Sequence, residues 1–436
     1  MNIVALATPY GVGAISIIRL SGKDALGIAD KICGSLTPRV AHLKELKDRD
    51  GNVLDEAIVI YFKAPFSFTG EDVVEFQTHG GVVVANLIID EILAYGARVA
   101  DPGEFSKRAL LNGKIDLAKA ESIQGLINAR SDGAAKILAR VMSGELGLFC
   151  DTLRDELIST LAYTETCIDY ADDDLPADIM EQIKLKLKEV SSKLDHIISI
   201  SNSKKGLIDG YKVAIIGCPN VGKSSILNSL LNYERAIISD TPGTTRDTIE
   251  EQIKVGTHLV RIIDTAGIRH SDHDIENIGI EYSKRAANSA DIIICVFDSS
   301  RVSNSEDIAI LDFINSLNKK VIFVLNKSDL EFKFDLDIDG ILLSAKDECS
   351  ALKFALESYL NSQDTNEIML SSNRQIKACQ DAKNAIDRAT ELLDESVLEL
   401  FAYEINRAIK EIGSITKPLQ NSEILDKMFS SFCLGK

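Results

Sequence analysis

The segment GCPNVGKSS, Gly217 to Ser225, sets two glycines, a lysine and a hydroxyl residue in the pattern G-x-x-x-x-G-K-[ST]. That spacing suits a phosphate-binding loop. The glycines let backbone N–H groups turn inward, Lys223 brings charge to the β- and γ-phosphates, and the Ser224 hydroxyl can ligate Mg²⁺. Asn220, Val221, Gly222 and Ser225 complete the stretch expected around the nucleotide. Further on, Asp264, Thr265, Ala266 and Gly267 close an apolar run, which suits an Asp holding Mg²⁺ through water and a Gly N–H facing the γ-phosphate. Asn326, Lys327 and Asp329 of NKSD end another such run. The Asp329 carboxylate can accept from both N1–H and the exocyclic amine of guanine, a pattern adenine lacks. Ser344, Ala345 and Lys346 (SAK) offer backbone donors to the guanine carbonyl. In this order the segments imply GTP, not ATP.

Between the first two segments lies a Gly- and Thr-rich stretch with the composition of a mobile switch loop: Ser239, Asp240, Thr241, Pro242, Gly243, Thr244 and Thr245, continuing to Thr248. Thr245 is the candidate to close over Mg²⁺ and the γ-phosphate. Where a Ras-like GTPase carries a water-orienting Gln after DTAG, this chain has Ile268, which neither accepts nor donates. The missing positive charge must then come from a partner's arginine or a monovalent cation. The Asn220 amide oxygen could coordinate such an ion; equally, an Asn there suits a tight turn.

The elements that must position these residues follow from periodicity. Apolar strands are predicted at 213–217, 259–264, 291–297 and 321–326, a βαβ pattern running from about Gly206 to Leu360. Ahead of it, Ile179, Ile183, Leu187, Val190, Leu194 and Ile198 fall on one helical face, with Asp173, Asp174 and Pro176 suited to the helix start. After Ser371, Cys379, Ala382, Ile386, Ala389, Leu393, Val397 and Leu400 share another. The first 115 or so residues instead hold short β-rich runs such as ISIIRL (15–20) and AIVIYF (57–62). The expected architecture is multidomain α/β: an α+β domain (1–116), an all-α helical domain in two pieces (117–205 and 366–436) that pack together, and a P-loop Ras-like module (206–365) inserted between them.

Composition narrows the function classes. The chain has 436 residues, 45% hydrophobic and 26% charged, enough for about two to four domains. A formal net charge of -18 argues against general attraction to nucleic acid phosphates, so an RNA partner must meet a local basic patch or be held jointly with another protein. Eight scattered cysteines without metal-ligand spacing read as reduced thiols of a cytoplasmic protein. The N-terminal twenty residues have no basic residue before Arg19, and no run of 18 apolar residues occurs, so neither a targeting peptide nor a membrane span is expected.

GxPNVGKSS, TPGTTRD, DTAGIR and DIENIGIEYS together resemble the potassium-activated tRNA-modifying GTPases of the MnmE (TrmE) family. The flanks agree: GVGAISIIRLSG, SFTGEDVVEFQTHGG, PGEFSKRALLNGKIDLAKAESI and the final FSSFCLGK extend the resemblance over essentially the whole chain. It implies K⁺ held by Asn220 with oxygens of Ser239, Thr241 and Thr244, completed when two GTPase domains meet. It implies that Glu276 orients the attacking water, though a carboxylate early in a helix is the plainer reading. Arg19, Glu75 and Lys114, with the terminal Lys436, match positions for a 5-formyltetrahydrofolate-type one-carbon donor. Cys433 becomes a candidate nucleophile or acid/base. The implied partners are a second copy of the chain, an FAD-dependent MnmG-type (GidA) protein and tRNA, with neither DNA nor a membrane. The implied reaction adds a carboxymethylaminomethyl-type group to C5 of the wobble uridine. Two rivals share the central motifs. A ribosome-assembly GTPase usually carries a basic module that is missing here, and a pure signalling switch leaves the first domain and FCLGK without a purpose.

Overall fold

A computed structural model describes residues 1–169, 179–233, 250–263, 284–346, 349–393, 398–417, 422–430, 432, 433 and 435. The chain divides into two compact units. One joins Met1–Gln124, Arg140–Asp195 and Ser372–Lys436; the other joins Gly125–Ala139 and His196–Ser371.

The first unit begins with a six-stranded sheet of order β3-β4-β5-β2-β1-β6. Its strands are β1 (Ile3–Leu6), β2 (Ile15–Ser21), β3 (Ala41–Lys47), β4 (Val53–Phe62), β5 (Val73–His79) and β6 (Arg98–Val99). All neighbours are antiparallel except β1 and β6. Period-two alternation sends Ile18, Leu20, Val59, Val74 and Phe76 into a core shared with Ile28 of the helix Ala25–Cys33 and Ile88 of the helix Val82–Ala94. The same alternation puts Arg19 and Glu75 on the opposite face, where the register pairs them across β2 and β5.

Helices supply the rest of this unit. Glu145–Asp169 packs on Leu398–Thr416, which packs in turn on Asn373–Glu391. Ile179–Ser203 buries Ile183, Leu187, Val190 and Leu194, the expected face, and its Ser191 donates to Asp387 at 2.8 Å. The early and late helical stretches therefore do meet. The proposed start of that helix at Asp173, Asp174 and Pro176 lies outside the described residues.

The late stripe needs correction. Cys379, Ala382, Ile386 and Ala389 are buried together as expected, but their helix ends at Glu391, and Leu400 is exposed in the next one. That second helix sets its own face with Leu398, Phe401, Ile405, Ala408 and Ile412, steps of three and four that leave Leu400 on the far side. Val397 lies outside the described residues. Glu121 anchors the point where the chain returns to this unit: Arg374 pairs with it at 2.7 Å, and Gln375 and Ser372 donate to it.

The second unit is a sheet of order β12-β11-β10-β7-β9-β8. It comprises β7 (Tyr211–Ile216), β8 (Glu250–Val255), β9 (His258–Ile263), β10 (Ile292–Asp298), β11 (Lys320–Asn326) and β12 (Ile341–Leu342). Only β8 runs antiparallel to its neighbour. Because β7 and β10 are buried on both faces, they read as continuous apolar runs.

Candidate functional site

The expected phosphate loop leaves the carboxyl end of β7, and its last residues open the helix Lys223–Tyr233. Ser224 and Ser225 occupy the first turn, where unpaired N–H groups favour an anion. Two glycines are required by close approach. A Cβ on Gly217 would lie 2.3 Å from the Val296 carbonyl oxygen, and one on Gly222, at φ +101°, would lie 2.1 Å from Asn326 Nδ2. Asn220 is exposed and adopts φ +63°, a left-handed conformation that Asn tolerates.

Lys223 is the main cation here. Its Nζ donates to the carbonyls of Gly217 (2.9 Å) and Cys218 (2.7 Å), and among the described residues no carboxylate takes that role. Burial pulls its pKa below the ordinary lysine value. A desolvated ammonium held by neutral oxygens at a helix N-terminus has an anion as its natural counterpart, which is how the residues present fit a nucleotide triphosphate.

Asn326 joins three of the predicted segments. Its Nδ2 donates to Val221 O at 2.7 Å and its Oδ1 accepts from Ala345 N at 2.9 Å. The Ala345 N–H, read from sequence as a donor to guanine, is thus engaged by Asn326. Lys327, at φ +66°, pairs with Asp298 at 2.5 Å. Asp298 is nearly buried, which opposes its charge, but Lys327 and Ser300 outweigh burial and hold its carboxyl below the usual range. Asp329 pairs with Lys346 at 2.7 Å, which likewise holds its carboxyl low and ready to accept. Ser344 is buried, its Oγ accepting weakly from Lys346 N at 3.3 Å. Ser239, Asp240, Thr241, Pro242, Gly243, Thr244, Thr245, Asp264, Thr265, Ala266, Gly267, Glu276 and Lys436 lie outside the described residues. Among the described residues no group of three His, Cys, Asp or Glu side chains could hold a metal.

A second cluster sits on the face of the first sheet opposite its main core. Arg19 donates to Glu75 Oε1 from Nε at 2.9 Å and from Nη2 at 2.7 Å. Its guanidinium lies 5.7 Å from the Phe68 ring centroid and 5.8 Å from that of Phe105. The tail comes to the same place: Arg19 Nη1 donates to Gly435 O at 3.2 Å. Gly435, at φ +84°, sits so close to β1 that a Cβ would lie 2.6 Å from Leu6 O. Cys433 is exposed, and its carbonyl accepts from Gly103 N at 3.3 Å. The Lys114 stem lies against Gly70, in the turn that precedes Glu71. A carboxylate oxygen, a guanidinium and flanking rings fit a flat, amide-bearing ligand such as a pterin.

Sequence reasoning missed Asp298 and a trio formed by the buried Cys218 and Asp307 with the half-buried Arg301. Only the Asn304-x-x-Asp307 spacing, a capping signature, could have drawn attention to Asp307.

Residues 117–433 match the family profile of the MnmE helical domain, and residues 2–114 that of the GTP-binding protein TrmE N-terminus. A tRNA modification GTPase MnmE from Campylobacter fetus subsp. fetus is 72% identical over 438 residues, covering 100% of both chains. The protein so named from Campylobacter concisus is 60% identical, covering 100% of this chain and 99% of its own. Among solved structures, Era in complex with MgGDPNP and nucleotides of 16S ribosomal RNA aligns at 26% identity, over 40% of this chain and 66% of its own. Its TM-score of 0.26 is too low to carry an argument.

Proposed function

The chain belongs to the MnmE family of tRNA modification GTPases, and from that premise we propose that it couples GTP hydrolysis to modification of the wobble uridine at C5. An FAD-dependent MnmG-type protein is its partner, and a carboxymethylaminomethyl-type group is what the pair installs. Hydrolysis of GTP is the chain's own enzymatic activity; the one-carbon unit comes from a tetrahydrofolate held at Arg19, Glu75 and Lys114. The compartment is the cytoplasm, and among the described residues no helix is long and apolar enough to cross a membrane.

The observation that carries the nucleotide reading is the bridge made by Asn326, which ties Val221 of the phosphate loop to Ala345 of the base loop. Lys223 and the first-turn N–H groups bind the phosphates, while Asp329 accepts from the guanine edge. Ser224 and Thr245 hold Mg²⁺. Bound K⁺, coordinated by Asn220 with Ser239, Thr241 and Thr244, supplies the positive charge that an arginine would bring to the terminal phosphoryl group. Glu276 orients the attacking water. Support for a homodimer through the first domain comes from Leu43 and Ile58, exposed apolar register partners on β3 and β4.

Turnover in KCl against NaCl tests the cation: faster hydrolysis in KCl is expected, and equal rates refute it. Glu276→Ala should slow hydrolysis with GTP affinity kept; lost affinity would make it structural. Mass analysis of tRNA from a deletion strain should show wobble uridines lacking the C5 group, and normal levels would refute the modification role.

A further inference from the structure

The phosphate loop is braced from behind as well as lined in front. Cys218, its second residue, is buried, and its Sγ donates to Asp307 Oδ1 at 3.0 Å. Asp307 is fully buried at the start of the helix Ser305–Asn315. It takes Arg301 Nη1 on Oδ2 at 2.6 Å, Arg301 Nη2 on Oδ1 at 3.1 Å and the Asn304 N–H on Oδ2 at 3.0 Å. Burial opposes its charge, but these donors outweigh burial and hold the carboxyl below its ordinary range. The Cys218 thiol is pushed up to about 12 by burial, with Asp307 adding to the effect, so it remains an S–H donor near neutral pH.

Cys218 has a second attachment. Its carbonyl accepts from Lys223 Nζ at 2.7 Å, so one residue is bonded through its side chain to Asp307 and through its backbone to the phosphate-binding lysine. The preceding residue has no slack either, since Gly217 abuts the Val296 carbonyl.

We propose that Asp307, acting through Cys218, is a positioning residue for GTP binding: it clamps the first turn of the phosphate loop and thereby sets where the Lys223 ammonium stands. Arg301 keeps that carboxylate charged and oriented. The proposal rests on the reading of Gly217–Ser224 as the phosphate loop.

The test measures affinity and dissociation rate of a fluorescent GDP analogue on the full chain, with thermal melting in parallel. Cys218→Ala removes the donor while Asp307 keeps Arg301 and Asn304, so melting should change little. Nucleotide dissociation should speed up about 3- to 10-fold. Cys218→Ser keeps a donor and should return to within about twofold of the wild type. Lys223→Ala is the control and should cripple binding. Normal binding by Lys223→Ala overturns the loop reading and the proposal with it. If Lys223→Ala fails to bind while Cys218→Ala matches the wild type, or Cys218→Ser is as impaired as Cys218→Ala, the clamp alone is overturned.

Discussion

Replacing Asn326 by Ala removes a side chain that ties the phosphate loop to the base loop. Asn326 is 2% exposed, so water cannot replace what is lost. Val221 O loses its donor at 2.7 Å and Ala345 N its acceptor at 2.9 Å. Each stranded backbone group costs about 1–3 kcal/mol, with the partly buried Ala345 at the lower end, giving a total of roughly 2–4 kcal/mol. That cost divides between folding of the module and closure around the nucleotide. If half falls on binding, the Kd rises about 5- to 30-fold. Asn326→Asp separates the two bonds: it keeps an acceptor for Ala345 but sets an oxygen against the Val221 carbonyl, so it should bind at least as weakly as the Ala variant. Titration with a fluorescent GDP analogue reads the affinity, and thermal melting reads the remainder. An Ala variant within twofold of the wild type and equally stable, or an Asp variant that binds normally, would refute the bridge.

Two further predictions concern buried charge. Arg301→Ala leaves the Asp307 carboxylate without its fork and should cost about 2–3 kcal/mol in urea unfolding, discounted from a fully buried pair because the Arg301 side chain is 34% exposed; Arg301→Lys should recover only part, lacking the second bond. Glu104 is largely buried, which opposes its charge, yet bonds from Arg98, the Asp101 N–H and Arg108 hold its pKa below the ordinary 4.5. Because the folded value is depressed, its stabilisation is complete above about pH 4.5 and fades as pH falls below it; Glu104→Gln should flatten the decline in melting temperature between pH 5 and pH 3 relative to wild type, and an unchanged slope would show that other carboxylates set it.

The strands around the nucleotide were legible because β7 and β10 are apolar on both faces, and the loops were legible because phosphate and guanine demand particular residues at fixed spacing. What sequence could not give is where a donor is already spent. Ala345 N–H serves Asn326, and the Cys218 thiol serves an acid 89 residues along the chain. Such pairings depend on which loops the sheet brings together, which no local pattern encodes. The late helical stripe misled for a related reason: a period of 3.6 continues smoothly across a break, and the chain stops at Glu391 and starts again at Leu398 without changing the spacing of its apolar residues. Arg19 and Glu75 lie 56 residues apart, and only the strand register makes them neighbours.

The interleaving of the two units has a consequence for synthesis. The helices Glu145–Asp169 and Ile179–Ser203 leave the ribosome before their packing partners, Asn373–Glu391 and Leu398–Thr416, have been translated. At ~5–20 residues/s the interval is roughly 10–30 s. During that wait Leu187, Val190 and Leu194 lack the two late helices and have only Glu145–Asp169 beside them, the neighbour that Lys193 meets through Glu156, while the α/β insert downstream can already fold. Nascent chains stalled within the insert should therefore bind chaperones that recognise exposed apolar helix, and should release them once the last helices emerge.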